Sequence, residues 1–596
     1  MSSHATCFYD FGPFRLDANQ HLLLRDGIEI PLTPKAFETL LLLVRNNGQI
    51  VEKDELLKTI WPEAFVGEAT LTQNVFTIRK ALGGSEGEQY IQTIPKRGYR
   101  FVASVATVTD ETAGGQLDRF STPSFTRGDE KAVRASPIYS IAVLPLTNQS
   151  ADPDVEYLSD GLTESLTNSL SLIRNLRVKA CSTVLAYKGA DVDPEQVGRE
   201  LGVAAVLTGR LLQVGDHLII RMELVDASNG WQLWGEEYNK KLSEIHKLQE
   251  EITRDISENL RLKLTSEEWE LLAKSRAENA EAFQFYLKGR SFLNKRTKEG
   301  YVKATDYFEQ AIEVDPGFAL AYSGLADSYI QYDFYGLIPP WNTIPKARAA
   351  AVRAVAIGEG LAEAHTSLAS MKLIHDRDLV GAEREFKRAI RLNPKYARAH
   401  DGYAHCLLAM ERTEESLAEC ILALELEPSD LEINQHLGWY YLFARQYDKA
   451  IEQLQKTLEL GPAYYRARVL IGIAYGQKGA FSLAIEEFLQ ARLLEETPIL
   501  SGFLGYAYGM AGDKKALEVL NGLLKESKQS YVPPYSMALI YVGLDRRDEA
   551  LEWLSRACVE HGHWRGWLEL TPELDSLRGD PRFIELLQRS FRSGQY

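Results

Sequence analysis

The scarcities in this 596-residue sequence narrow it before anything else does. Its five cysteines, Cys7, Cys181, Cys406, Cys420 and Cys558, are odd in number and contain no C-x-x-C pair, which excludes a disulfide framework and a thiolate zinc or redox centre and fits a reducing compartment. No apolar run approaches the roughly 18 to 20 residues that cross a bilayer, and the opening MSSHATCFYDFGPF lacks the basic end and apolar stretch of a secretory signal. The expected location is therefore the cytoplasm, with no membrane partner. Basic residues are also short: 67 Lys and Arg stand against 83 Asp and Glu, a formal net charge of -16. Such a chain does not coat nucleic acid along its length, because non-specific binding depends on neutralising phosphates, so any DNA contact must be local. A Walker phosphate loop, a G-x-S-x-G elbow and an H-E-x-x-H pair are missing too. That leaves no catalytic constellation, and the expectation is a protein that is not an enzyme and takes no cofactor.

What is present is ample apolar material, 45% of the chain, enough for several cores. Short runs at Phe8 to Phe11, Phe14 to Leu16, His21 to Leu24 and Ile28 to Ile30 are separated by Gly12-Pro13, Ala18-Asn19 and Asp26-Gly27, the pattern of four small antiparallel strands. A helix follows in LTPKAFETLLLLV, with Thr33 as its cap and Pro34 in the first turn, then a second in KDELLKTIW, stopped by Pro62. After the loop PEAFVGEA comes TLTQNVFTIRKALGG, where Thr70 and Gln73 spell a capping box and Gly83-Gly84 a stop. At about 100° per residue, Leu71, Val75, Ile78 and Leu82 share one stripe and should face the core. The opposite face carries Gln73, Phe76, Thr77 and Lys80, with Asn74 and Arg79 on its flanks. These side chains can bond base edges or phosphates. YIQTIPKRGYRFVA then reads as a hairpin whose Pro95-Lys96-Arg97-Gly98 tip is basic.

This order, and above all the run DELLKTIW, TLTQNVFTIRKALGG and TIPKRGYRFVA, resembles the OmpR-type winged helix-turn-helix domain of bacterial transcriptional regulators, over residues 8 to 103. The resemblance implies double-stranded DNA as partner, with the third helix in the major groove, the wing at the neighbouring minor groove and Trp61 near the backbone. It places contact positions on Gln73, Asn74, Thr77 and Arg79 and a wing tip on Lys96 and Arg97; Thr72 and Lys80 complete the candidate DNA-binding set. Two positions that are often arginine in relatives are Phe76 and Thr77 here, so no sequence preference carries over. The charge is local: residues 1 to 104 hold 11 basic against 12 acidic groups, but Ala69 to Arg100 hold five against two. A plainer reading competes, in which Gln73 only closes the capping box and Arg79 and Lys80 are a solvated last turn suited to the helix dipole. The loop PEAFVGEA resembles in position the loop that touches RNA polymerase in the family, making polymerase a candidate partner. With the winged helix starting within ten residues of Met1, no receiver domain is expected ahead of it and phosphorelay control is not expected.

Residues 107 to 136, polar and rich in Ser, Thr and Gly, read as a flexible linker, where a membrane-bound regulator of this type would carry its spanning helix. From Ser140, strand-like SIAVLPLTN and LRVKACS alternate with helical YLSDGLTESLTNSLSLI and DPEQVGRELG, and turns at Gly215-Asp216 and Asn229-Gly230 divide the strands that follow. This α/β segment, 137–264, resembles the TolB-like domain that precedes helical repeats in bacterial regulators and some class III adenylate cyclases. Its Asp152, Asp154, Glu156, Asp160 and Glu164 are read as loop and helix-start acids rather than catalytic or metal groups. Leu242 to Leu264 is amphipathic, with Ile245, Leu248, Ile252, Ile256 and Leu260 on one side, and is expected to pack on its own domain, with pairing to a partner chain as the alternative.

From about Asn279 the chain repeats itself every 34 residues: Pro394, Pro428 and Pro462; Gly438 and Gly472; Tyr441 and Tyr475; Ala450 and Ala484. Small residues suit the crossing of two helices, and proline ends the second. These blocks resemble tetratricopeptide repeats over 278–596, about eight units, with one loop enlarged at YDFYGLIPPWNT because Pro316 and Pro394 are 78 rather than 68 apart. Such an array offers a concave face to a protein or peptide partner. His561 and His563 lack supporting ligands, so no metal is expected. The fold class is multidomain α+β: a winged helix at 1–106, a linker at 107–136, an α/β TolB-like domain at 137–264 and an all-α tetratricopeptide superhelix at 278–596. The expected function is a sequence-specific DNA-binding transcriptional regulator whose repeats bind a protein or ligand signal, compatible with a homodimer. The alternative is a repeat scaffold that uses its winged helix for protein contacts.

Overall fold

The computed structural model describes residues 7–18, 22–25, 28–30, 32, 34–60, 68–82, 90–94, 97–103, 105–109, 140–150, 152, 155–173, 175–189, 192–260, 265, 277, 279–336, 338–560 and 567–592. They fall into two compact units, 1–134 and 135–596. Among the described residues no helix is long and apolar enough to cross a membrane.

The first unit opens with β1 (Cys7–Phe11), β2 (Phe14–Asp17), β3 (Leu22–Arg25) and β4 (Ile28–Ile30), an antiparallel meander whose first turn uses the left-handed Gly12. Three helices follow, α1 (Pro34–Arg45), α2 (Lys53–Ile60) and α3 (Glu68–Ala81), with β5 (Ile50–Glu52) between the first two. The wing hairpin is β6 (Ile91–Ile94) and β7 (Gly98–Phe101), and β5 pairs with β7 to make a three-stranded sheet. Gly98 is required there, because a Cβ would stand 2.0 Å from the Val51 carbonyl oxygen. The core joins Phe11, Phe14 and Leu16 of the meander to Leu40 and Leu43 of α1 and to the α3 stripe Leu71, Val75, Ile78 and Leu82, all buried as the helical period requires.

Two sequence expectations change in this unit. A last strand, β8 (Ala106–Thr109), pairs antiparallel with β1, so residues 107–109 are sheet and not linker. Its Thr-Val-Thr run is strand-forming, and without it the outer edge of β1 would have no partner. Helix α3 begins at Glu68, so Thr70 lies inside the first turn and does not cap the helix. Thr33, Gly83-Gly84 and linker residues 110–136 lie outside the described residues, whereas Pro34 does open α1.

The second unit starts with a mixed sheet of order β11-β9-β12-β13-β14, built from β9 (Ser140–Val143), β10 (Thr147–Asn148), β11 (Arg177–Val178), β12 (Ala205–Val214), β13 (His217–Asp226) and β14 (Gln232–Lys241). The β9 contacts are parallel and the long β12-β13-β14 contacts antiparallel. Helices α4 (Glu156–Ser171), α5 (Cys181–Val184), α6 (Pro194–Leu201) and α7 (Ile245–Asn259) accompany it. DPEQVGRELG carries its own signals for α6: Asp193 accepts from the Glu195 N–H, Pro194 takes the first turn, and Gly202 closes the helix in the left-handed region. Ile245, Leu248, Ile252 and Ile256 of α7 are buried against the sheet, as the amphipathic pattern implied.

That core does not stop at the end of the middle segment. It runs from Leu158 and Leu162 of α4 into Phe283, Leu287, Ala311 and Phe318 of the first repeats. Gly161 allows the approach, since a Cβ there would stand 2.8 Å from Leu287 Cδ2. Middle domain and repeats are therefore one packed body, not two cores joined by a connection.

Eight helix pairs follow among the described residues, from Ala280–Asn294 with Lys298–Val314 to Pro534–Gly543 with Arg547–Glu560, and then the terminal helix Pro581–Arg592. Small residues fall where helices cross: a Cβ on Gly472 would stand 2.6 Å from Phe488 Cε1. Most of the extra residues of the second pair lie in its helices rather than in the connection between them. They lengthen its two helices, Ala319–Tyr335 and Pro340–Ile357, to 17 and 18 residues where the fourth to sixth pairs have 13 and 14. Pro339 and Pro340 start the second of these helices, which is where proline is tolerated.

Candidate nucleic-acid interface and inner cavity

In the first unit, α3 is held by more than its apolar stripe. Arg79 is exposed, yet its Nη2 donates to the Ile91 carbonyl at 2.8 Å and to Thr93 Oγ1 at 2.8 Å, and its Nε reaches the same carbonyl at 3.2 Å. The guanidinium thus ties the last turn of α3 to β6, fixing helix and wing as one surface. Thr72, also exposed, approaches the Tyr99 hydroxyl of β7 at 3.4 Å, a second link to the wing. Asn74 is turned inward, buried with an Nδ2 that has no hydrogen-bond partner among the described residues. The flank positions of the helical wheel therefore divide, Asn74 going to the core and Arg79 to the wing.

Arg97 occupies the turn between β6 and β7 with its side chain exposed. Its backbone is fixed on both sides, the N–H donating to the Ile94 carbonyl at 3.1 Å and the carbonyl accepting from the Lys53 N–H at 3.1 Å. Gln73, Thr77 and Lys80 lie within α3, but their side chains, like Trp61 and Lys96, are outside the described residues, as is the loop 61–67. The described part of the set thus offers Thr72 and Arg97 outward, Arg79 as a brace, and Asn74 inward.

Three acids of the middle domain are held in ion pairs. Glu156 and Asp160, one turn apart on α4, pair with Lys188, Glu156 at 2.9 Å, and the half-buried Glu164 bonds Arg290 and Asn294 of the first repeat. Asp154 is outside the described residues.

The second polar concentration lies inside the repeats. Arg398, Glu432 and Arg466 stand 34 residues apart, so the first helices of three successive pairs bring one repeat position together with alternating charge. Glu432 lies 3.0 Å from Arg398 and 3.5 Å from Arg466, and Arg296 of the first pair bonds both Glu432 and Asp430, the latter at 2.7 Å. Burial opposes charge on Glu432, but Arg296 and Arg398 beside it hold its carboxyl well below the usual range. Next to this network lie Asp401, His405 and His436. Burial drives the His405 imidazole down to about 4. On His436 burial is outweighed by the Asp401 carboxylate, which raises it. Together these groups border a cavity of about 160 Å³ walled also by Trp439 and Trp567. Sequence reasoning did not single out any of these side chains. A signal existed in the alternating signs at the 34-residue interval, whereas the histidines it weighed, His561 and His563, fall outside the described residues.

Comparison with known proteins follows the same division. Residues 27–101 match the family "Transcriptional regulatory protein, C terminal", residues 137–255 the "HilA/YgeH-like transcriptional regulator, second domain", and residues 437–498 the tetratricopeptide repeat. The chain carries the three parts of a HilA-like, OmpR-type transcriptional regulator. It is 23% identical to the transcriptional regulator HilA of Salmonella typhimurium over 571 residues, 95% of either chain, so the likeness runs through all three parts. It is 29% identical to the transcriptional activator CadC of Escherichia coli over 89 residues, 15% of this chain and 17% of that one. A Rhizobium meliloti protein named as an adenylate cyclase is 35% identical over 187 residues, 31% of this chain. The chain spans only 32% of that relative's length.

Proposed function

We propose that this regulator binds double-stranded DNA with α3 in the major groove and the wing tip, Lys96 and Arg97, on phosphates beside it. Gln73, Thr77 and Lys80 are the groups assigned to bases or backbone, with Thr72 and Trp61 at the edges. The observation that carries this reading is the Arg79 brace, which fixes the apolar-backed α3 to the hairpin that presents Arg97. A helix that reads bases must be held rigidly against the domain, and a wing must keep its spacing from it. In this assignment Arg79 positions and Asn74 stays in the core. The regulator is cytoplasmic and non-enzymatic, its repeats take a protein or ligand signal, and RNA polymerase and a second copy are further partners. The TolB-like reading of the middle domain draws support from its mixed sheet and accompanying helices.

The test is binding of the intact chain to promoter fragments from its own genomic neighbourhood across a salt series. Affinity should fall steeply with salt, and Gln73→Ala or Thr77→Ala should cost about 1–3 kcal/mol at particular base pairs. Absence of salt-sensitive binding to every fragment would leave the scaffold alternative, and uniform losses at Gln73 would remove it as a base reader.

A further inference from the structure

The inner cavity contains a donor set that DNA recognition does not use. Asp401 and His405 lie one turn apart on the helix Ala397–Ala409, and His436 lies on Leu431–Phe443, the corresponding helix of the next pair. The 34-residue repeat stacks these helices, so positions 401 and 436 meet side by side. Donor atoms of all three residues lie within 4.8 Å of one another. His436 Nδ1 stands 2.9 Å and 3.0 Å from the two Asp401 carboxylate oxygens, and His405 Nδ1 stands 2.9 Å from the Asp401 backbone carbonyl. A carbonyl oxygen only accepts, so His405 carries its proton on Nδ1 and keeps a lone pair on Nε2. The two imidazoles meet edge to face, 4.4 Å between centroids.

The arginines that line the same cavity have carboxylate partners of their own. Arg296, Arg398 and Arg466 are already engaged by Glu432, and Arg296 by Asp430 as well, which leaves Asp401 as the carboxylate of the histidine pair. Trp439 and Trp567 stand 5.6 Å and 5.8 Å from the His405 ring and shield it, while the cavity leaves room beyond. Trp567 lines that cavity with an indole N–H that has no hydrogen-bond partner among the described residues, a donor available to a water or ligand there.

We propose that Asp401, His405 and His436 bind one divalent transition-metal ion, zinc in the first instance, with a remaining coordination position open to the cavity. Two imidazoles and one carboxylate suit zinc and its borderline neighbours, whereas magnesium and calcium prefer oxygen donors throughout. The ion would join consecutive repeats through side chains 35 positions apart, and this inference stands apart from the DNA-binding reading.

The intact chain, stripped with a chelator and exchanged into metal-free buffer, is titrated with zinc and, separately, with cobalt(II). One equivalent per chain is expected, with a visible cobalt absorption band. His405→Gln and His436→Gln should each weaken zinc binding by at least about tenfold. Zinc should raise the melting temperature of the wild-type chain and not that of His405→Gln, a readout that survives some loss of stability in the variant. The double variant His561→Gln/His563→Gln should bind as wild type. No uptake and no cobalt band in the wild-type chain would overturn the site, as would uptake that persists without His405 and His436 or disappears without His561 and His563.

Discussion

The DNA-facing unit and the repeat cavity treat polar side chains in opposite ways. In the first, α3 buries its apolar stripe with Asn74 as the one polar addition among its described side chains, and Arg97 projects from a turn whose backbone bonds do not involve its side chain. In the second, Glu432 and Arg296 are only 9% and 10% exposed and satisfy one another although they come from the fifth and first helix pairs. Exposed groups on a finished fold can be exchanged with little structural effect, so they are free to specialise in recognition. Buried charges are part of the fold, because each removed partner strands the others in a medium that solvates them poorly.

The comparison breaks most readily at Glu432. Glu432→Ala leaves Arg296, Arg398 and Arg466 facing one another without their shared carboxylate, and should destabilise the second unit by about 3–5 kcal/mol in chemical denaturation. A loss below about 1 kcal/mol would mean that water or neighbouring carboxylates replace it, and the contrast between the regions would weaken.

A smaller effect, with a pH signature, is expected where the middle domain meets the repeats. Glu427 accepts from the Ser182 N–H at 3.2 Å and from its hydroxyl. Burial pushes its carboxyl up to about 7; the Ser182 bonds pull it down, neighbouring Asp430 pushes it up, and Arg398 lowers it slightly. Between the ordinary carboxyl range and pH 7 the folded chain keeps a proton that the unfolded chain has lost. The stabilisation is therefore complete at acid pH and falls as pH rises through about 7. Glu427 keeps some contact with solvent, so about 1–2 kcal/mol is expected. Melting curves from pH 5 to 8 should fall more steeply for the wild-type chain than for Glu427→Gln, and parallel curves would refute the assignment.

The difference between the regions also explains what could be read from the sequence. The α3 stripe, the meander and the wing are local patterns, since a helix or strand declares its buried face within a dozen residues. The 34-residue period is equally local and marked the repeats wherever small residues and prolines recur. The start of α3 at Glu68 was hidden because an acid in the first turn suits the helix as well as a Thr cap does. Strand β8 depended on an edge of β1 nearly a hundred residues away. The merged core and the cavity were harder still, since Glu164 with Arg290 and Asp401 with His436 are pairings set by stacking. The repeat pattern leaves such inward polar positions free to vary, and only the alternating Arg398, Glu432 and Arg466 carried a trace of them.

Within the first unit, Arg79 and Arg97 sharpen the comparison further. Arg79→Ala removes the bonds to Ile91 and Thr93 and should cost about 1 kcal/mol of stability, because the guanidinium is exposed and water replaces part of what is lost. Binding should weaken as well, through loosened spacing between α3 and the wing, and Arg79→Lys should restore little of it, since an ammonium cannot reproduce the fork.

Arg97→Ala should have the smallest effect on the fold and a clear one on binding. The turn is closed by the Arg97 N–H to Ile94 and by Lys53 to the Arg97 carbonyl, bonds that alanine keeps, and Gly98 beside it is unchanged. Stability should therefore shift by no more than about 0.5 kcal/mol. If the side chain grips a phosphate, affinity falls by a similar factor on every DNA sequence, and the slope of log affinity against log salt drops by about one. An unchanged slope with unchanged stability would place Arg97 off the duplex. A large loss of stability would instead give this exposed arginine a structural part, and erase the distinction between a wing that recognises and a cavity that holds the fold.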